Sequence, residues 1–477
     1  MIEACNTGCY RLFYIVAKKL LNDFLFTIRT NVRIIILDKT FGGIAMDYSK
    51  EPHGVFFLID NKSFYASVEC SQRGLDPLET PLVVLSEQEN TNGGLILATS
   101  PMAKKLYGIS NVSRQRDLPK NDELLIVPPR MNLYIEKNLE INEIFRHYTK
   151  EIDCVPYSID ETILDLTYSW QLFGNSPKEV AQQIQKTVLE RLGLYTTVGI
   201  GSNPLQAKLA LDLFAKHASD LVGELDYDNF TDKIWPITEL TNVWSIGQRT
   251  EKHLHQMGIY SMKDLAHTTP YLLKEEMGII GTQLLALAWG IDRTNLEKPV
   301  RVKNDSLGNS QVLPRDYHKQ EEIEVVIQEI GEQVAARLRK RHKQTMCVSL
   351  SIGFSYASAQ KTGKSRFSQQ MKIEPTSDGR KLNYYLIQLF RQNWQKETVR
   401  NIAVSFGKLI TTQDLQLNLF TSVKKQEKHV ILEKTLDNIR AGFGTKALFF
   451  GHSLKHGGTM LDRAGLIGGH NGGNSYS

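Results

Sequence analysis

The sequence predicts an α+β protein of several domains, and three observations carry that prediction. Its 477 residues exceed what one hydrophobic core ordinarily organises. Its apolar periodicity runs strand, helix, hairpin, helix, strand through the first half, the order that builds a ferredoxin-like sheet. Its charge is segregated: residues 301–420 hold 19 Lys and Arg against 11 Asp and Glu, although the whole chain carries only +5. Such a basic module suits a polyanion, because Lys and Arg on phosphates release condensed counterions; a merely solvated basic face would have the same charge. With 41% hydrophobic and 23% charged residues, the composition excludes a disordered, collagenous or disulfide-scaffold chain.

Taken in order, residues 1–45 read as an amphipathic basic helix, a short apolar run and a glycine turn. They fit poorly with the chain beyond them, and Met46 opens a fresh start, so this segment is expected to be an upstream-translated extension absent from the native protein, with a targeting or partner-binding helix as the weaker alternative. Its most apolar stretch, 11–28, is broken by Lys18, Lys19, Asn22 and Asp23, and no membrane span is predicted. Val55 to Ile59 is an apolar run ending at Asp60, read as a buried strand, and Phe64 to Cys70 continues as helix. Residues 71–130 read as a small α/β insertion containing the strand-like Leu82 to Leu85 and the GGLILATSP segment. Helix is expected over 131–150 and a hairpin over Cys154 to Thr167. An amphipathic helix opened by SPKE comes next over Pro177 to Leu192, then a strand over Thr196 to Ile200. Helix resumes from Lys208 to Lys216, and residues 232–295 are short helices broken by Gly247, Gly258, Gly278 and Gly290.

Residues 296–311, polar and containing Pro299 and Gly308, read as a linker into a basic α/β module of 312–412. Beyond it the sequence predicts one helix to about Arg440 and a mobile tail, GGHNGGNSYS. The five cysteines show no CxxC pair and no zinc or disulfide spacing, which fits a cytoplasmic protein.

Asp60 at a strand end and the Asp160-Glu161 pair in a hairpin are candidate ligands for divalent cations, which demand hard oxygen donors. Two conditions apply. The sheet must set these strands side by side, and the backbone must bend at Asp160, because successive strand residues otherwise face opposite ways. An Asp-Glu pair alone is ordinarily solvated surface.

FFLIDNKSFYASVE at 56–69, YSIDETILDLT at 157–167 and VGIGSNPLQAKLA at 198–210 resemble, in order, the palm motifs of the Y-family DNA polymerases. The likeness is to the UmuC/UvrX-like (ImpB/MucB/SamB) branch of Gram-positive bacteria and spans about residues 54–420. It implies a right-hand architecture: palm at 46–70 and 131–231, fingers at 71–130, helical thumb at 232–295 and little finger at 312–412. It implies two Mg²⁺ ions held by Asp60, Asp160 and Glu161 with the Asn61 carbonyl, and Tyr65 as a steric gate against the ribose 2′-hydroxyl with Phe64 packed beneath the sugar. Asp165 is read as structural.

Lys104 and Lys216 stand near the family's triphosphate-binding cations. SPMAKK, however, has Pro101 and Lys104 where many members have Tyr and Arg, and Lys216 lies one residue farther from Lys208 than the pattern gives. WSIGQRTEKHLHQMGI resembles a helix-hairpin-helix, implying that Gly247 and Gly258 shape a phosphate-binding turn; either glycine equally suits an ordinary turn or cap. Gln416, Leu417, Leu419 and Phe420, in QLNLF within the terminal region 413–477, match the pentapeptide that docks on the sliding clamp. The implied activity is error-prone translesion DNA synthesis without a proofreading exonuclease, by a cytoplasmic monomer acting on primer-template DNA and dNTP. The alternative is a non-catalytic DNA-damage or replication-clamp adaptor that keeps the polymerase fold.

Overall fold

The computed structural model describes residues 46–86, 94–110, 113–298, 305–411, 422–467 and 470–471. The leader 1–45, the QLNLF pentapeptide and most of the terminal GGHNGGNSYS lie outside the described residues. Two compact units are distinguished: the described parts of Met1–Leu58, Asp165–Lys178 and Val198–Asn295, and those of Ile59–Leu164, Glu179–Thr197 and Leu296–Ser477.

The first elements are β1 (Phe56–Asn61), α1 (Phe64–Ser71), β2 (Leu82–Leu85), β3 (Ile96–Thr99), α2 (Pro101–Tyr107), β4 (Leu125–Val127) and α3 (Met131–Arg146). After them come β5 (Cys154–Pro156), β6 (Glu161–Asp165), α4 (Pro177–Leu192), β7 (Thr196–Gly201), α5 (Pro204–Leu213) and β8 (Val222–Leu225). A five-stranded sheet has the order β5-β6-β1-β7-β8. Its first four strands are the ferredoxin-like arrangement, in which β1 lies between the hairpin and the strand that closes the second crossover. The fifth, β8, runs parallel to β7 and is a strand that the sequence pattern does not predict. Every residue of β7 is buried, as the apolar TTVGIG predicts for a strand covered on both faces.

The insertion forms its own sheet, β3-β2-β4, whose Leu82, Val84, Ala98 and Val127 pack with Ala66 and Cys70 of α1. Ser100 caps α2: its hydroxyl accepts from the Ala103 amide at 3.2 Å, and Pro101 fills the first turn, where a missing N–H costs nothing.

In the first unit, the side of β7 facing α5 is built for close approach. A Cβ on Gly199 would lie 2.2 Å from the Ala207 carbonyl oxygen and 2.4 Å from the Leu211 amide nitrogen. The same unit holds α6 (Phe230–Ile234), α7 (Gln248–Gln256), α8 (Met262–His267), α9 (Pro270–Met277) and α10 (Ile279–Ala288). Phe230, Leu254, Leu265, Leu273, Leu284 and Trp289 belong to their common core.

In the second unit the C-terminal module contains β9 (Ser306–Tyr317), α11 (Gln320–Lys340), β10 (Lys343–Phe354), α12 (Tyr356–Thr362), β11 (Arg366–Thr376), α13 (Gly379–Asn393) and β12 (Val399–Thr411). Its sheet order is β11-β10-β12-β9, all pairs antiparallel. Val326, Ile330, Leu350, Phe390 and Phe406 lie in its core. The strand begins at Ser306, inside the stretch read as linker. SLGNSQVLPRDY is polar because β9 is an edge strand with much of its length exposed, and an edge tolerates Pro314.

Helix α14 (Val423–Phe443) comes next, and the described chain beyond it packs back on the module. Tyr317 donates its hydroxyl to the Gly457 carbonyl at 2.9 Å, and the Thr459 amide donates to Glu329 at 3.0 Å. Arg339 ties α11 to α14 through a bidentate pair with Asp437 and further bonds to Glu433, Glu332 and the Ser377 carbonyl. Among the described residues, no helix is long and apolar enough to cross a membrane.

Candidate active site

In the sheet order β6 lies next to β1, and the bond that registers their ends falls at the predicted carboxylates. The Asn61 amide donates to the Asp160 carbonyl at 2.9 Å, and the Asn61 side-chain amide donates to the same oxygen at 3.0 Å. Asp60 therefore sits one residue from the point where the chain meets Asp160. The backbone bends over residues 158–160, which is the departure from strand geometry that the Asp160-Glu161 pair requires.

Ser158 makes that corner. Its hydroxyl donates to Asp160 Oδ1 at 2.6 Å and accepts from the Glu161 amide at 3.0 Å, while the Tyr157 and Ser158 amides both donate to the Glu161 carbonyl. Beyond the corner β6 alternates regularly, with Thr162 and Leu164 buried and Glu161 on the opposite face. Asp60, Asp160 and Glu161 offer carboxylate oxygen, the donor type that suits a hard divalent cation such as Mg²⁺. Asn61 Oδ1 is a further oxygen here, buried and without a hydrogen-bond partner. Asp165 accepts from the Thr167 amide at 3.0 Å and from its hydroxyl, a local structural role.

The turn from β1 into α1 passes through Ser63, a non-glycine residue at φ +52°. Its hydroxyl accepts from Lys104 Nζ at 3.1 Å, so the ammonium of α2 stands beside the carboxylate turn. Phe64 is buried at 3% exposure. Tyr65 is half-buried, and burial, followed by the negative charge of Asp160, pushes its phenol above the ordinary value. Its ring stacks on Tyr134 at 4.4 Å and 13°. Tyr134 in turn donates to Glu69 at 2.8 Å, and Glu69 also accepts from Arg130 at 2.9 and 2.6 Å and from Arg73. Burial alone would raise the Glu69 pKa. The hydrogen bonds from Arg130, Arg73 and Tyr134 outweigh it and hold the carboxyl below its ordinary range.

Lys216 is exposed and donates to Asp212 at 2.7 Å, sharing that carboxylate with Lys208. Gly247 caps the N-terminus of α7 at φ −95°, an unstrained conformation, whereas Gly258 follows α7 at φ +80°, where L side chains are disfavoured. Outside this region, ligand atoms of Asp378, His429 and Glu433 lie within 4.8 Å of one another. Arg339 and the Gly379 amide already bond Glu433, so the trio reads as part of the ion-pair seam beneath α14.

Sequence reasoning passed over Ser158, Ser63 and the Glu69 cluster. Ser two residues before Asp is a turn-forming pattern, and a Glu at a buried helix position, as in YASVE, calls for paired cations. Both signals were present in the sequence.

The impB/mucB/samB family model matches residues 59–212, and the model of that family's C-terminal domain matches 304–419. The chain is 36% identical over 425 residues to the UV-damage repair protein UvrX of Bacillus subtilis (strain 168), covering 89% of this chain and 99% of the relative. It is 35% identical over 419 residues to DNA polymerase IV 2 of the same organism, covering 87% and 98%. A solved Y-family DNA polymerase chimera matches the fold with a TM-score of 0.60 at 20% identity, over 75% of this chain and 100% of the other. With nearly the whole length of two relatives matched above 30% identity, the chain is a member of the impB/mucB/samB family, in the UmuC/UvrX-like branch of the Y-family DNA polymerases.

Proposed function

We propose that this DNA polymerase carries out error-prone translesion synthesis during repair, with Asp60, Asp160 and Glu161 as its catalytic carboxylates. The carrying observation is the double hydrogen bond from Asn61 to the Asp160 carbonyl, which sets the end of β1 against the bent corner before β6. When bound there, two Mg²⁺ ions would lower the pKa of the primer 3′-hydroxyl and neutralise charge on the departing pyrophosphate. The hydroxyl oxygen bonds to the α-phosphorus of the dNTP as the bond to pyrophosphate breaks, and its proton passes to solvent. The protein's contribution is positional: Ser158 orients Asp160, Lys104 offers a point charge to the triphosphate, and Tyr65 occupies the space of a 2′-hydroxyl.

Among the described residues the insertion sheet has three short strands, a limited surface for testing the shape of a nascent pair, and this supports tolerance of damaged templates. The thumb turn at Gly247 and Gly258 and the basic C-terminal module serve as phosphate grips, giving binding that falls steeply with salt. Leu417, Leu419 and Phe420 are the anchors for the sliding clamp, and replacing Leu419 and Phe420 by Ala is expected to abolish clamp binding while leaving basal extension intact.

Primer extension on undamaged and lesion-bearing templates, comparing the unaltered chain with Asp160→Asn, tests the central reading. Extension that drops to background in the variant supports it. Background extension by both proteins would leave a DNA-bound adaptor in its place.

A further inference from the structure

We infer that Glu69, Arg130 and Tyr134 are positioning residues for the sugar gate, and that this buried cluster, acting through Tyr65, contributes to the enzyme's preference for deoxyribonucleotides. The inference rests on the proposed role of Tyr65.

A gate works only if its ring is held still. Excluding a single hydroxyl group requires placement to within a fraction of an ångström, and a half-buried tyrosine on the first turn of α1 has rotameric alternatives. Here the alternatives are closed by a chain of contacts running inward from the ring. Tyr65 lies flat on Tyr134 at 4.4 Å and 13°, and the Phe64 ring is tilted against it at 5.8 Å and 48°. Tyr134 is fully buried, and its hydroxyl is pinned to Glu69 at 2.8 Å.

Glu69 has no exposed side-chain surface, yet both of its oxygens are saturated: Oε1 accepts from Tyr134 and Arg130 Nε, and Oε2 from Arg130 Nη2 and Arg73. A carboxylate this deep is tolerated only when so paired. Arg130 and Tyr134 stand four residues apart at the start of α3, with Tyr134 on its first turn, so they present to Glu69 together. The cluster is thus a prop joining α3 to α1, and the ring of Tyr134 is the face on which the gate ring rests. None of these three residues reaches the nucleotide in this reading; each acts through Tyr65.

The test is the ratio of kcat/KM for a ribonucleotide to that for the matching deoxyribonucleotide, in single-nucleotide insertion by the full chain. A variant that is merely destabilised lowers both rates together and leaves the ratio alone, so the ratio isolates positioning. Tyr65→Ala should raise it by roughly 10²-fold, about the limit for rejecting one added hydroxyl. Tyr134→Leu, which removes the stacking surface, should raise it by about tenfold, and Tyr134→Phe, which keeps the ring but frees it from Glu69, by a few-fold. Deoxyribonucleotide insertion by Tyr134→Phe should stay within a few-fold of the unaltered enzyme, which also serves as the check that this variant folds. A ratio moved by Tyr65→Ala but unchanged in both Tyr134 variants overturns the positioning role while sparing the gate. A ratio unmoved by Tyr65→Ala overturns the gate and the inference with it.

Discussion

Replacing Arg339 by Met should release α14 from the C-terminal module while leaving the module's sheet folded. The guanidinium makes five hydrogen bonds, two of them a bidentate pair with Asp437, and its side chain is only 12% exposed. Burial alone would lower its pKa, but Asp437, Glu433 and Glu332 more than reverse this, so the group is fully charged. Methionine fills similar volume and removes the charge, leaving Glu332, Glu433 and Asp437 facing one another. Breaking a buried pair in this way costs about 3–5 kcal/mol. Asp437 is 21% exposed and can recover some hydration, so the lower end applies. About 3 kcal/mol corresponds to roughly 10²-fold in the equilibrium for local detachment. Hydrogen–deuterium exchange resolved to peptides measures it directly: amides of 423–443 should lose about two orders of magnitude of protection, and those of β10 and β12 should change little. Protection of α14 within threefold of the unaltered protein would refute the reasoning, and the seam would then be held by its other contacts, such as Glu433 with the Gly379 amide and Arg440 with Glu332.

Four further outcomes are expected. Gly199→Ala forces a methyl group into the backbone of α5 and should destabilise the protein by roughly 3 kcal/mol, seen as a lower urea midpoint; an unchanged midpoint would mean that helix and strand can part at no cost. Lys104→Ala should raise the dNTP KM by about tenfold with little change in kcat, and an unaltered KM would remove this lysine from the nucleotide site. Glu69 has a folded pKa below its unfolded value, so its contribution is complete above the unfolded value near 4.3 and is lost as pH falls through the folded one; Glu69→Gln should be less stable at pH 7 and show a flatter acid limb, and parallel limbs would sink the assignment. Burial lowers the pKa of His452, which stacks on Phe450, so the unfolded segment takes up its proton first as pH drops below about 6.5. Proteolysis of the region around residue 452 should therefore accelerate as pH falls below about 6.5, and a rate independent of pH there would argue against it.

Much of the fold was legible because the governing patterns are local. FFLID, LVVL and TTVGIG are apolar runs too short for helices, Pro177 to Leu192 is amphipathic, and each forms the element its periodicity dictates. What escaped depends on distant partners. β8 has only four residues, and its reason for being a strand is the neighbouring β7. Ser306 to Tyr317 looks like a linker until the edge position of β9 explains its polarity. The stretch 444–467 shows no periodicity of its own, and its packing rests on Tyr317, Glu322 and Glu329, which supply the groups that bind it. At the site, Asp60, Asp160 and Glu161 could be nominated from residue type and resemblance. The corner at Ser158 is a local turn whose Ser-x-Asp pattern is in the sequence, whereas the support beneath Tyr65 needs Tyr134 to meet Glu69 across 65 positions, which no periodicity encodes.

The pairing of Ser306 with Gly407 and of Leu307 with Phe406 puts the entry and exit of the C-terminal module at the same end of one antiparallel ladder. Tension applied through the flanking segments would pull those two strands apart like the halves of a zip, loading one rung at a time, because antiparallel bonds lie across the strand direction. Had the outer strands run side by side in the same sense, the same pull would have sheared many rungs at once. A module loaded in this way yields at its outer ladder to a smaller pull than sheared strands would withstand.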